Sequence, residues 1–285
     1  MRITAKELSF TYNKKSAFKA DALKGVTLDI PEGEFFGIIG HTGSGKSTFI
    51  QHLNALLTVQ SGTLTAGDID LSKGKKTDKK LLKVLRSKVG MVFQYPEYQL
   101  FAETVFEDVA FGYKNFNPQA DENCIKAAVY DALTRVGLDY SIAKKSPFEL
   151  SGGQKRRVAI AGVIVTSPEV LVLDEPVAGL DPIGKRELMR LLHELHSTTC
   201  KTVIIVSHDM DEVCENCTRV AVFSQGEVIA EGTPEEVFSQ GEKMRGLRLG
   251  VPLTEYLTER LAEKGVNLNS DLTENDFIRA VKELC

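Results

Sequence analysis

Two short stretches hold most of the chemistry in this chain. Gly40-His41-Thr42-Gly43-Ser44-Gly45-Lys46-Ser47, followed by Thr48, has the glycine spacing of a phosphate-binding loop. Bare backbone amides in such a loop can point inward at a β-phosphate, Lys46 can bridge the β- and γ-phosphates, and the Ser47 hydroxyl can sit on Mg²⁺. Leu150-Ser151-Gly152-Gly153-Gln154 offers another hydroxyl and two more bare amides at the start of a helix, a second grip for phosphate. Nothing within its own chain obviously needs that second grip; a second chain would.

The acid and base groups fall at strand ends. Val170-Leu-Val-Leu-Asp174-Glu175-Pro176 places two carboxylates after an apolar run, where ligands sit in an open parallel sheet. Asp174 can hold a Mg²⁺ shell and Glu175 can polarise an attacking water. Two charges that merely end a strand are the plain alternative, which the nearby phosphate loop disfavours. His208 follows the run Val203 to Ser207 and Gln94 follows Val89 to Phe93, so both can reach the same place, His208 toward a γ-phosphate and Gln94 toward Mg²⁺ or the water. A lone histidine is usually structural, as His193 and His196 are expected to be on a helix surface. Tyr12 can stack on adenine or serve as ordinary core.

These groups need a scaffold, and the apolar pattern supplies one. Short β-like runs at 26–30, 35–39, 89–93, 170–173, 203–206 and 220–223 alternate with helical stretches, and the later ones are continuously apolar, as in strands buried on both faces. The core is therefore α/β and mostly parallel. Between 103 and 166, Ile125, Val129, Leu133 and Val136 recur at helical spacing with no strand, which predicts a helical insert. Asp181-Pro182 opens a long helix to about Ser197, with Asp as N-cap and Pro at its first position. The core domain is expected over 1–232. Beyond it, 233–285 reads as small helices, and a tail of ~50 residues is too small to fold securely alone.

Composition sets the class. The chain of 285 residues is 42% hydrophobic and 26% charged, with a formal charge of −4, so it has the balance of a globular protein and no global basic field that would advertise nucleic acid. No apolar run approaches the ~18 residues of a membrane span, and the N-terminus lacks a signal-like apolar segment; folding in the cytoplasm is expected. The cysteines Cys124, Cys200, Cys214, Cys217 and Cys285 form no regular framework, which fits a reducing compartment. Cys214-x-x-Cys217 has no second ligand pair nearby. The basic run Lys73 to Lys83 is either a solvated loop entering a helix or a contact for anionic lipid headgroups.

Together these motifs resemble the ABC-type ATPases over about residues 2 to 232: Tyr12, the phosphate loop, Gln94, Leu150 to Gln154 as the signature motif, Asp174, Glu175, Asp181 and His208 stand in that family's order. The resemblance implies a nucleotide-binding domain with a RecA-like core sheet, an antiparallel β part and a helical subdomain over about 103–166. It further implies two ATP molecules sandwiched in a dimer, with Glu175 as catalytic base, His208 as γ-phosphate switch and Asp181 communicating across the interface. Gln94-Tyr-Pro-Glu-Tyr-Gln-Leu-Phe, Gly40-His41-Thr42 and Ser146-Pro-Phe-Glu-Leu-Ser-Gly-Gly-Gln-Lys-Arg-Arg157 look like the ATPase subunits of energy-coupling-factor importers of vitamins or of cobalt or nickel, more like the second of the paired ATPases than the first. That likeness implies ATP and Mg²⁺, a paralogous ATPase partner (a homodimer being possible), a membrane T subunit docking through coupling helices, a substrate-binding S component, and a place on the cytoplasmic face of the membrane. The tail at 233–285 would help join the two ATPases.

Tyr95, Tyr98, Leu100 and Phe101 crowd apolar groups just after Gln94 and suit a docked helix, or fill the helical insert. Val177 stands where many such sequences have threonine. A soluble ABC ATPase of DNA repair or translation is the rival reading, though the chain carries neither a long coiled-coil insert nor two nucleotide domains; a regulatory scaffold is a third, which filled catalytic positions oppose.

Overall fold

The continuously apolar runs lie side by side in one sheet. The computed structural model describes residues 1–239, 252–266, 268 and 273–284. Its larger sheet contains β3 (Phe35–Gly40), β6 (Val89–Val92), β7 (Val170–Asp174), β8 (Thr202–Ser207), β9 (Arg219–Ser224) and β10 (Glu227–Gly232) in the order β10-β9-β3-β8-β7-β6. All neighbours pair in parallel except β10, which folds back antiparallel on β9.

Alternate residues of these strands feed two separate cores. Phe35, Ile39, Leu171, Leu173, Val203 and Ile205 face one, and Phe36, Ile38, Val170, Val172, Ile204 and Val206 face the other. With both faces covered, neither can be polar. The first face packs against α3 (Val105–Phe116), α4 (Glu122–Arg135), α5 (Gly152–Ile164) and α6 (Pro182–Thr198). The second packs against a smaller antiparallel sheet of β1 (Ile3–Tyr12), β2 (Ala20–Ile30), β4 (Ser61–Ala66) and β5 (Ile69–Asp70), ordered β2-β1-β4-β5, and against α1 (Lys46–Leu53).

The helical insert contains no strand among its residues, and the expected α/β core with an antiparallel layer is the observed one. Asp181 caps α6, its carboxylate accepting from Gly184 N–H at 2.7 Å. Basic helix α2 (Lys79–Lys88) follows the lysine-rich turn. The first tail helix, α8 (Pro234–Phe238), buries Val237 and Phe238 in the first core. Helix α9 (Leu253–Ala262) is tied to α7 (Met210–Asn216) by the Leu253 N–H on Asp211 at 2.7 Å, and α10 (Glu274–Leu284) follows. Cys285 lies outside the described residues.

Candidate nucleotide site

The loop between β3 and α1 is built for close backbone approach. Gly45 occupies the N-cap position of α1 at φ 107°, with no side chain capping the helix, so the first-turn amides stay available. Gly40 meets the neighbouring strand so closely that an added Cβ would sit 2.2 Å from the Phe223 carbonyl oxygen. The loop is braced from the turn between β9 and β10, where Gly226 donates its N–H to Ser44 O at 2.9 Å. Lys46 is buried and donates to the carbonyls of Gly40 at 2.6 Å and His41 at 2.8 Å. Burial depresses its pKa, opposed by the nearby carboxylates of Glu175 and Asp174.

A cleft of about 780 Å³ opens over this loop and collects residues far apart in sequence: Tyr12, Gly40, His41, Thr42, Gly43, Gly45, Lys46, Ser47, Thr48, Gln94, Asp174, Glu175 and His208. The N-terminal strands add Ala20, Asp21 and Ala22, and α7 adds Met210, none of which a motif announces. Ser44 is the one loop member that does not line the cleft, and its hydroxyl is buried without a hydrogen-bond partner. Tyr12 sits at the rim, 37% exposed, with its hydroxyl 3.3 Å from Thr48 Oγ1 and its ring edge-on to Phe10. Its ring therefore lines the cleft on one side and packs on Phe10 on the other.

Asp174 and Glu175 end β7 side by side but in different environments. Burial raises the Asp174 pKa, which a hydrogen bond with Ser47 opposes. Glu175 has φ 47°, unusual for a residue with a side chain, and its N–H is held by Val206 O at 2.9 Å. That turn aims the carboxylate at His208, whose Nδ1 lies 3.0 Å from Glu175 Oε2.

The residues fit a nucleoside triphosphate with a divalent cation. Free helix-terminal amides and a buried lysine can receive phosphate, while a desolvated carboxylate hydrogen-bonded to a hydroxyl is a hard-oxygen donor pair suited to Mg²⁺. A carboxylate beside an imidazole at the far end can align and deprotonate water.

The remaining sequence candidates lie elsewhere. Leu150 to Gln154 do not line the cleft. Ser151 caps α5, accepting from Gln154 N–H at 3.3 Å while the Gln154 side chain accepts from Ser151 N–H at 3.1 Å, and Gly152 and Gly153 have open space beside them. Asp181 is also outside, at the start of α6.

Of the four proposed docking residues, Tyr95, Tyr98 and Phe101 are exposed, with the Tyr95 and Tyr98 rings 6.1 Å apart between centroids, whereas Leu100 is buried. Tyr98 and Leu100 line a groove of about 300 Å³ with Glu97, Pro147, Phe148 and Lys155. Tyr98 is 83% exposed, but Leu100 is buried and packs in the helical core. Phe101, exposed, pairs edge-on with Phe111. Tyr95, in a left-handed conformation at φ 54°, instead lines a chamber of about 320 Å³ with Gln94, Glu175, Gly179 and His208. Tyr95 and Tyr98 thus bracket the turn at Pro96–Gln99 with their rings in contact, while Leu100, just past it, enters the core.

Sequence reasoning missed three charged residues near the site. Arg156, which is buried, and Glu97, which is mostly so, form an ion pair at 2.8 Å. Glu212, on α7, is buried and accepts from the Ser207 hydroxyl at 2.7 Å, with burial pushing its pKa up to about 7. Nothing local marks any of them, since burial of a charge depends on contacts made by the whole fold.

A phosphate loop, a strand-end Asp-Glu pair and a histidine-bearing strand end on this three-layer scaffold define a nucleotide-hydrolysing cassette. The ABC transporter family profile matches residues 23–178. Relatives include the energy-coupling factor transporter ATP-binding protein EcfA2 of Clostridium tetani, 46% identical over 95% of this chain and 93% of its own, and that of Symbiobacterium thermophilum, 48% identical over 99% and 96%. Among solved structures, cbiO1 from Clostridium perfringens, described as part of the ABC transporter complex cbiONQ, is 40% identical with a TM-score of 0.74, covering 90% of this chain and 98% of its own. A dimeric post-hydrolysis structure of the ATP-binding cassette MJ0796 with ADP and Pi is 31% identical with a TM-score of 0.71, covering 81% and 98%. The chain belongs to the ABC transporter family and, within it, to the energy-coupling factor transporter ATP-binding proteins. It is an ATP-binding ATPase subunit of a transporter.

Proposed function

We propose that this chain supplies one of two ATPases in an energy-coupling factor importer of micronutrients, its phosphate loop facing the signature motif of a partner and its own Leu150 to Gln154 completing the partner's site. The observation that carries this reading is the division of the motifs. One cleft gathers the phosphate loop, Gln94, Asp174, Glu175 and His208, while Ser151, Gly152 and Gly153 stand exposed outside it on the same chain. In the proposed closed pair, Lys46 and the amides of the loop hold the phosphates, and Ser47, Gln94 and Asp174 would hold Mg²⁺, which neutralises phosphate charge when bound. Tyr12 supports the adenine. Glu175 takes the proton of the attacking water, and His208, oriented through Nδ1 by Glu175, presents its other nitrogen to the γ-phosphate. Asp181 reports across the interface.

The partner is a paralogous ATPase or a second copy of this chain, and the tail from 233 helps join them. A membrane T subunit inserts a coupling helix into the groove at Tyr98, holding the chain at the cytoplasmic face, and an S component selects the cargo. No described helix is long and apolar enough to cross a membrane; in this reading the membrane-spanning parts belong to other chains. The insert argues against a repair ATPase, because its helices span only 12, 14 and 13 residues rather than a long coiled coil. The deciding experiment is purification of the chain from detergent-solubilised membranes, with identification of what accompanies it. A second ATPase, a polytopic subunit and small membrane binding proteins are expected; recovery alone, or with ribosomes or DNA, overturns the proposal.

A further inference from the structure

We propose that Arg156 is a positioning residue that fastens the docking segment, the signature helix and the loop behind Glu175 into one body, so that displacement of the membrane partner moves all three together. Arg156 lies in the second turn of α5 and is only 5% exposed. Its guanidinium forks onto Glu97, Nε donating to Oε2 at 3.1 Å and Nη2 to Oε1 at 2.8 Å. The same group donates to Pro176 O at 3.0 Å and to Ala178 O from both Nη1 and Nη2 at 3.1 Å. Each recipient belongs to a different working part. Glu97 precedes Tyr98 in the groove, Arg156 follows the signature by two residues, and Pro176 and Ala178 flank Val177 between Glu175 and the Asp181 cap.

A buried ion pair rarely adds stability over a well-packed apolar replacement, whereas its fixed fork does specify one arrangement. Here every N–H used by the fork is directed at a different loop or at both oxygens of one carboxylate, so none of the three parts can shift without breaking charge-assisted hydrogen bonds in a buried place. Burial is the largest single influence on Glu97 and raises its pKa, but the hydrogen bond from Arg156, a backbone hydrogen bond and the nearby guanidinium charge together outweigh it and hold the carboxylate below its usual range. The carboxylate end of the junction therefore stays charged in the neutral range.

The inference rests on the transport reading only in naming a membrane partner as the source of motion, and its test has two arms for that reason. Glu97→Gln keeps the shape and removes a charge, while Arg156→Lys keeps the charge and removes the fork. In the intact transporter reconstituted in liposomes, each is expected to lower substrate uptake per ATP hydrolysed about tenfold. An unchanged ratio, or parallel losses of uptake and hydrolysis, overturns the proposal. In the same preparations, amide hydrogen exchange of Leu150 to Gln154 and of Glu175 to Leu180 should rise together in both variants; a rise in one segment alone, or in neither, also overturns it. A wild-type preparation that hydrolyses ATP without driving uptake would instead defeat the transport reading, and the exchange result would still decide whether Arg156 joins the three parts.

Discussion

The imidazole of His208 and the carboxylate of Glu175 meet at 3.0 Å across the C-terminal ends of two adjacent strands. The Glu175 side chain is 22% exposed and that of His208 is 71% exposed. The carboxylate is therefore fixed inside the cleft while the histidine, anchored by that contact, remains open on its outer side. A base held in place beside a reaching donor is the arrangement needed for water attack on a terminal phosphate.

Replacing the base should separate binding from turnover. Glu175→Gln keeps the side-chain volume and its hydrogen bond to His208 but cannot take a proton. Phosphate release is expected to fall by at least about 100-fold, with ATP affinity retained and an ATP-bound dimer accumulating on gel filtration. Wild-type turnover with the change in both sites would remove Glu175 from the mechanism.

The phosphate loop can be tested through its backbone. At Gly45, φ is 107° and an added Cβ would sit 2.6 Å from the Ala22 carbonyl oxygen. Gly45→Ala should abolish binding of a fluorescent ATP analogue and lower stability by about 2 kcal/mol or more. Gly43→Ala, at φ 81° with open space around the new methyl, should lose only about 1 kcal/mol from backbone strain. Equal thermal melting losses in the two would mean that crowding at Ala22 is not what requires Gly45.

The groove calls for Tyr98 rather than Leu100 as its probe. Tyr98 is 83% exposed, so Tyr98→Glu should change the unfolding free energy by less than about 0.5 kcal/mol while weakening co-purification with the membrane subunit. Leu100 is 8% exposed and part of the core. Leu100→Glu should destabilise the fold by about 3 kcal/mol, making any loss of assembly uninformative. Denaturant midpoints of the two proteins check the contrast.

Glu212 should make stability fall with rising pH. Burial raises its pKa from 4.5 to about 7, so between those values the folded chain keeps a proton that the unfolded chain has lost. The stabilisation is complete below pH 4.5 and is lost as pH climbs through 7, at most about 3 kcal/mol from a shift of roughly two and a half units. Glu212→Gln, which still accepts from Ser207, should flatten that slope in denaturant unfolding between pH 5 and 8. An undiminished slope would place the titration elsewhere.

How much of this was readable in advance follows from how local each signal is. The phosphate loop, the strand-end carboxylates and the cap at Asp181 are contiguous, and they fold where their residues stand. The parallel strands were legible because burial on both faces leaves only apolar side chains. Strands β1, β4, β5 and β10 were not, since they are half-exposed; in β1 the pairing register with β2 also shifts after Ala5, Leu8 and Phe10, which breaks the alternation a reader would look for. Leu100 could not be told from its exposed neighbours because its burial depends on how the turn at Pro96–Gln99 feeds it into the helical core. Nothing in the sequence marks Arg156 or Glu97, and only the packing of α5 against the turn at Pro96–Gln99 takes Arg156 out of water and shields most of Glu97.

Because Leu150 to Gln154 stand outside the cleft formed by their own chain, inheritance of damage in the proposed pair does not follow the gene that carries it. Two lesions placed together in this chain, one at Lys46 and one at Ser151, would spoil both composite sites and leave the partner's intact sequence unable to help. The same two lesions divided between the chains, Lys46 here and the signature serine of the partner, would fall in a single site and spare the other. Co-expressed alleles should therefore complement or fail according to geometry rather than according to the number of mutations.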